Sequence, residues 1–165
     1  MTPKTQSFIV RSLPWTAGAV IQLAAILWTD PATAGLTFSL LIIAAGVLSL
    51  IMIRFPHLDP LEQRKHERGG LYWMLTSLMQ GLGLIGLGTL FLLIGFSAYH
   101  VFFLVHPGFF SIFAIILLAG SVLGHQLEWD RFEDAEPKQF KIALLWSTPG
   151  AVFIWGIVLF TVILQ

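Results

Sequence analysis

Three observations predict an all-α integral membrane protein, a bundle of five transmembrane helices. Apolar residues make up 56% of the chain and charged ones 11%, against roughly 45–50% and 25% in a soluble domain. The apolar residues fall in long blocks, and a helix needs about 20 of them to cross a hydrocarbon core about 30 Å thick. An odd number of spans then gathers every Lys and Arg on one side.

The first block runs from Leu13 to Thr29. Lys4 and Arg11 precede it as in a signal peptide, and Ala32-Thr33-Ala34 fits the small-residue cleavage pattern. The block is followed by Asp30-Pro31 and directly by a second one, Gly35 to Ile53, so a first transmembrane helix with a short turn is the simpler reading. Cleavage is the alternative. No Lys, Arg, Asp or Glu occurs between Arg68 and Glu128. At about 1.5 Å per residue that stretch is more than twice too long for one crossing, so it divides into spans over about 71–98 and 101–124. Tyr99-His100 and His106-Pro107-Gly108 are the turn candidates, Pro and Gly supplying fixed and permissive backbone angles. The fifth span covers 142–164, where Pro149-Gly150 after Ser147-Thr148 predicts a kink or a broken start. The whole chain, 1–165, is read as one membrane domain, with loops at 54–70 and 125–141.

Orientation follows from the cations. With five spans, Lys4, Arg11, Arg54, Arg64, Lys65, Arg68, Arg131, Lys138 and Lys141 share one side, and the positive-inside rule makes that side cytosolic. The N-terminus is then cytosolic and the C-terminus outside, and a bacterial cytoplasmic (inner) membrane is the expected location. Trp15, Trp28, Trp73, Trp129 and Trp146 fall at belt positions, where an amphipathic ring sits at headgroup depth. Trp155 falls near mid-bilayer, which suits either a buried helix contact or a lipid-facing position.

The two loops share a pattern, Arg54-Phe55-x-x-x-Asp59-Pro60 and Arg131-Phe132-x-x-x-Glu136-Pro137. Acid followed by Pro reads as a helix N-cap with Pro at the first helical position, and Asp59 with Glu62 reads as a capping box. Trp73 with Thr76-Ser77 loosely matches Trp146 with Ser147-Thr148. One reading is a parallel duplication of a helical hairpin, spans 2–3 and 4–5, as in some transporters. The simpler one is two similar solutions to stopping one span and starting the next. Glu62, Lys65, His66 and Glu67 read as a solvated amphipathic turn ended by Gly69-Gly70.

Composition excludes several chemistries. The chain has no Cys, which removes disulfides, thiolate metal sites, iron–sulfur clusters and thiol catalysis. Net charge is zero and no basic stripe is present, so nucleic acid is not an expected partner. The spans hold no Asp, Glu, Lys or Arg, which argues against an ion-motive pump. Gly81-Leu82-Gly83-Leu84-Ile85-Gly86 matches the dinucleotide fingerprint in letters, but it lies within a transmembrane helix and not between a strand and a helix. Its content is close helix approach in lipid: Gly81, Gly88, Gly120 and Gly124 offer small-residue faces, to other helices of this chain or to partner subunits.

His is the one residue type here able to hold a metal or haem. No span carries a His in its interior, which disfavours a transmembrane haem. His125-x-x-Glu128 lies at helical spacing with Trp129 and Arg131 adjoining and His57 at comparable depth. As a candidate site, His57, His125, Glu128, Trp129 and Arg131 suit a quinone, a lipid headgroup or a divalent cation; the alternative is a solvated helix end. Catalytic residues are not expected, since no nucleophile with a partnered base appears. The leading functional expectation is a non-catalytic membrane subunit (anchor, assembly or accessory component) of a larger complex, in contact with the bilayer and with other subunits. The alternatives are a ligand-binding protein, extending to a small redox or lipid-modifying enzyme, and a small passive transporter or channel.

Overall fold

The computed structural model describes residues 2–102, 115, 119, 123, 125–131 and 136–164. Among them the chain is helical without strands: α1 (Pro3–Trp28), α2 (Pro31–Arg54), a 3-10 turn (Pro56–Leu58), α3 (Pro60–Phe102), a helical stretch over 125–131 (α4) and α5 (Pro137–Ile163). Of these, α1, α2, α3 and α5 are long and apolar enough to cross a membrane. Most of the expected fourth span, with His106-Pro107-Gly108, Gly120 and Gly124, lies outside the described residues, as does Phe132 of the second loop pattern.

Each long helix opens on Pro, whose missing N–H and fixed φ suit the first helical position. Thr2 accepts from Thr5 N at 3.2 Å, Asp30 from Ala32 N at 2.9 Å and Thr33 N at 3.1 Å, and Asp59 from Leu61 N at 2.9 Å. These bonds satisfy donors that the first turn otherwise leaves unpaired. The side-chain and backbone donors of Thr33 hold the Asp30 carboxyl below its ordinary value. Glu136 occupies the same position before α5, but its carboxylate makes no cap bond and pairs with Lys138 at 2.6 Å.

Four sequence expectations change here. The capping box does not form, because Asp59 N donates to Pro56 O at 3.2 Å and Glu62 turns to other partners. Residues 62–67 are not a uniformly solvated turn, since they belong to α3 and Lys65 is buried. Tyr99-His100 is not a turn, because α3 stays helical through Phe102. α5 runs through Pro149 as one helix, so the broken start does not form, and the Thr148 hydroxyl is bonded back to Leu144 O at 2.8 Å. The break in α3 falls instead at Gly70, whose φ of 49° and ψ of −125° only glycine adopts at low cost.

α3 lies between α2 and α5, and its glycines shape both contacts. A Cβ built at Gly46 of α2 would lie 2.7 Å from Gly81 O, and one at Gly88 would lie 2.8 Å from Ser39 O. Gly81 and Gly88, seven positions apart, therefore meet α2 of the same chain. Gly83 and Gly86 face α5: a Cβ at Gly86 would lie 3.0 Å from Ile154 and from the Trp155 ring nitrogen. Trp155 donates from Nε1 to Leu82 O at 3.0 Å, which makes it a half-buried helix contact. The run of glycines is thus two flat faces interleaved on one helix, each set by helical spacing.

Away from α3 the surface is apolar. Leu145, Trp146, Val152, Phe153, Phe160 and Ile163 on α5 are exposed, Trp146 by 80%. Trp73 and Trp129, by contrast, are buried at 2% and 3%. They are therefore not exposed belt residues, and Trp73 does not share the surroundings of its proposed repeat counterpart Trp146. Gln22 ties α1 to α2, donating to Ala34 O at 3.2 Å.

Candidate functional site

The polar groups of the chain converge at one end of the bundle, where α1 and α3 begin and α4 lies. The 3-10 turn and the start of α3 bring in Asp59, Glu62 and Lys65. One face of α1 brings in Ser7 and Arg11, four apart, and α4 brings in His125 and Glu128, three apart. Such spacings place side chains on a common helix face.

Arg11 is the hub. Its Nε donates to Asp59 Oδ2, its Nη1 to Glu128 Oε2 and its Nη2 to Glu62 Oε1. One planar guanidinium with five N–H donors thus meets three separate carboxylates, which a lysine ammonium could not match in geometry. Lys65 adds a second cation, donating to Glu62 Oε1 at 3.0 Å and to Glu128 Oε1. The remaining oxygen of Glu62 accepts from Trp73 Nε1 at 2.8 Å. Ser7 donates to Asp59 Oδ1 at 2.5 Å. Every carboxylate oxygen of Asp59, Glu62 and Glu128 therefore accepts at least one hydrogen bond, the condition for burying charge at tolerable cost.

The direction of the Ser7 bond fixes another. The Ser7 hydroxyl has one proton, given to Asp59, so Ser7 Oγ accepts from His125 Nε2, which lies 3.2 Å away. His125 is buried, with the Phe8 ring against its edge at 5.4 Å and the Trp129 ring at 6.0 Å. Burial, then the charge of Arg11, hold its imidazole below the ordinary value against the pull of Asp59 and Glu128. For Glu128 burial acts upward, but Lys65 and Arg11 together hold its carboxyl below the usual range.

The residues singled out in the sequence are thus distributed unequally. His125 and Glu128 are members of this network. Trp129 is buried beside it, with the Arg64 guanidinium 4.9 Å above its ring, a cation–π contact. Arg131 is exposed at the end of α4. His57 is exposed on the 3-10 turn, its ring 6.0 Å from Phe55, and among the described residues no hydrogen bond joins it to His125 or Glu128. Ser7, Arg11, Asp59, Glu62, Lys65 and Trp73 were not among the candidates. In the sequence, Arg11 and Lys65 read as charges that set orientation, and Lys65 also as part of a solvated turn. The available signal was the Ser7–Arg11 spacing of four, which places both on one face of α1.

Among the described residues, no group of three or more His, Cys, Asp or Glu side chains is placed to hold a metal ion. The three carboxylates that meet here are engaged by Arg11 and Lys65. The arrangement joins helices: α1, α3 and α4 are tied by charge beside the buried side chains of Leu61, Trp73 and Trp129. Compared with known proteins, the chain matches no family model, no curated protein and no solved structure.

Proposed function

We propose that the chain is a small, non-catalytic integral membrane subunit, an anchor, assembly or accessory component of a larger membrane complex. The observation that carries this reading is the mutual engagement of the acids and bases at the polar end. Arg11 and Lys65 are spent on Asp59, Glu62 and Glu128. A site that binds a quinone, a lipid headgroup or a divalent cation through His125 and Glu128 needs open positions on them. Among the described residues both oxygens of Glu128 and Nε2 of His125 are engaged, which leaves Nδ1 of His125 as the one open position of the pair.

The four apolar helices and the exposed apolar faces of α1 and α5 support insertion in a bilayer. With every Lys and Arg at the end where the network lies, the positive-inside rule makes that end cytosolic and Gln165 external, consistent with a bacterial inner membrane. Gly81 and Gly88 are covered by α2, so partner subunits would meet other faces. Among the described residues no atom lies within 4 Å of a Cβ built at Gly150 or Gly156 of α5, so these are the faces offered to one.

The test is extraction of the tagged chain in mild detergent, followed by native mass spectrometry. Co-purification with other membrane proteins in fixed ratio is the expected result. A stable monomer in every mild detergent would overturn the reading. Reporters fused at Gln165 and inserted near Arg64 test the topology, with the first expected outside and the second inside.

A further inference from the structure

His125 is one of three side-chain links between α1 and α4, beside Arg11–Glu128 and Lys4–Asp130. Its ring is 5% exposed and walled by Phe8 of α1 and by Trp129 of its own helix. Nε2 is committed to Ser7 Oγ; Nδ1 makes no hydrogen bond among the described residues. The charged groups facing it are Lys4 and Arg11 from α1, Asp59 from the turn ahead of α3, and Glu128 from α4. Every oxygen of the two acids is already engaged: Asp59 by Arg11, Ser7 and Leu61 N, Glu128 by Arg11 and Lys65. A proton added at Nδ1 would place a second positive charge beside Arg11 with no unengaged carboxylate oxygen to receive it. Apolar walls on two sides offer it no hydration, and a buried charge left in that state is costly.

We propose that this joint is a pH-sensitive latch. With His125 neutral, its bond to Ser7 adds to the Arg11–Glu128 and Lys4–Asp130 ties between α4 and α1; with Nδ1 protonated, the joint loosens at His125 and the imidazolium moves toward water while the ion pairs remain. The sign follows from linkage. His125 binds its proton less readily in the closed form than its ordinary value of 6.5, so the open form takes up the proton. The latch is intact above that value and weakens progressively as pH falls below it.

The absence of cysteine makes the test direct. Gln6→Cys on α1 and Leu127→Cys on α4, both exposed positions, take spin labels on the full chain in detergent or bilayer. The inter-label distance is followed from about pH 8 to about pH 5, a range that spans imidazole titration. The expected result is a lengthening of that distance on acidification, reversible on return. In His125→Gln, whose amide donates to Ser7 without titrating, the short distance should persist across the range. An unchanged distance in the wild type, or an equal response in His125→Gln, would overturn the latch. Imidazole hydrogen–deuterium exchange on the wild-type chain gives a second readout that no folding defect can obscure. Its His125 midpoint should coincide with the distance change, and a clear separation of the two would also overturn the proposal.

Discussion

Arg11 and Glu128, 117 positions apart in the chain, are joined through Nη1 and Oε2, and the same guanidinium reaches Asp59 and Glu62. A residue whose formal role is to mark one side of a membrane is thus the point at which three helices meet. Removing one partner from a buried ion network leaves the others uncompensated, at about 3–5 kcal/mol. Arg11→Ala is expected to cost that order in thermal stability in detergent. Arg11→Lys should recover only part, because an ammonium cannot serve three carboxylates in one plane. An unchanged melting temperature in Arg11→Ala would show that the network does not hold the bundle.

Glu128 sets the acid limb. Its folded carboxyl lies below the ordinary value of 4.5 through Lys65 and Arg11, which together outweigh burial. A depressed carboxyl contributes stability that is fully present above the ordinary value and lost as pH falls through the lower, folded one. Glu128→Gln should therefore be less stable than the wild type at neutral pH, and the difference should shrink on acidification toward and below pH 4.5. Melting curves across that range check it, and a constant difference at every pH would contradict it.

The contact between α2 and α3 depends on absent side chains. A Cβ at Gly46 would meet Gly81 O at 2.7 Å and Ile85 N at 2.9 Å, and backbone cannot step aside as a flexible side chain would. Overpacking of this kind costs about 1–3 kcal/mol, so Gly46→Ala and Gly88→Ala should each be destabilising. Gly150→Ala is the control. Nothing lies within 4 Å of its Cβ, and the change should be neutral or gain up to about 1 kcal/mol through helix propensity. Similar melting temperatures for all three variants would show that the glycines do not set the helix spacing.

Much of this fold was legible because long apolar blocks and helical periodicity are visible in the residues themselves. The blocks at 35–53 and 71–98 fall within one helix each, and those at 13–29 and 142–164 overrun theirs by a single residue. What the sequence could not show is how the polar residues pair, since Arg11, Asp59, Glu62 and Glu128 approach one another only once three helices are packed. Read singly, Lys65 and Glu62 look like a solvated turn, because local spacing records neighbours on a helix and not those across one. Trp73 and Trp129 were assigned to the membrane interface for the same reason. Their sequence positions suit a belt, and only packing shows that Glu62 bonds one ring and Arg64 covers the other. His125 and Glu128 were legible as a pair, because their spacing of three is itself a helical contact.

Trp155 bonds α5 to α3 through Leu82 O. In apolar surroundings such a bond contributes about 0.6 to 2 kcal/mol. Trp155→Phe removes the donor while keeping most of the ring against Gly86, so a loss within that range is expected. A cost well above it would assign the residue's role to packing of the indole and not to its N–H.

Gly69 and Gly70 are adjacent but should fail for different reasons. Gly70 has φ 49° with open space around a built Cβ, so Gly70→Ala meets backbone strain alone, about 1–3 kcal/mol. Gly69 is helical, but its Cβ would meet Phe140 at 2.9 Å and the Trp73 Cβ at 2.7 Å, so Gly69→Ala is a packing conflict where α3 meets α5. Trimming the opposing side chain should therefore relieve one and not the other. Phe140→Leu is expected to offset part of the loss in Gly69→Ala and to add its own cost to Gly70→Ala. A double-mutant cycle on melting in detergent measures the difference: coupling for Gly69 with Phe140, and near additivity for Gly70 with Phe140. Equal coupling in the two cycles would show that the break at Gly70 is imposed by the packing of α5 and not by the glycine's own conformation.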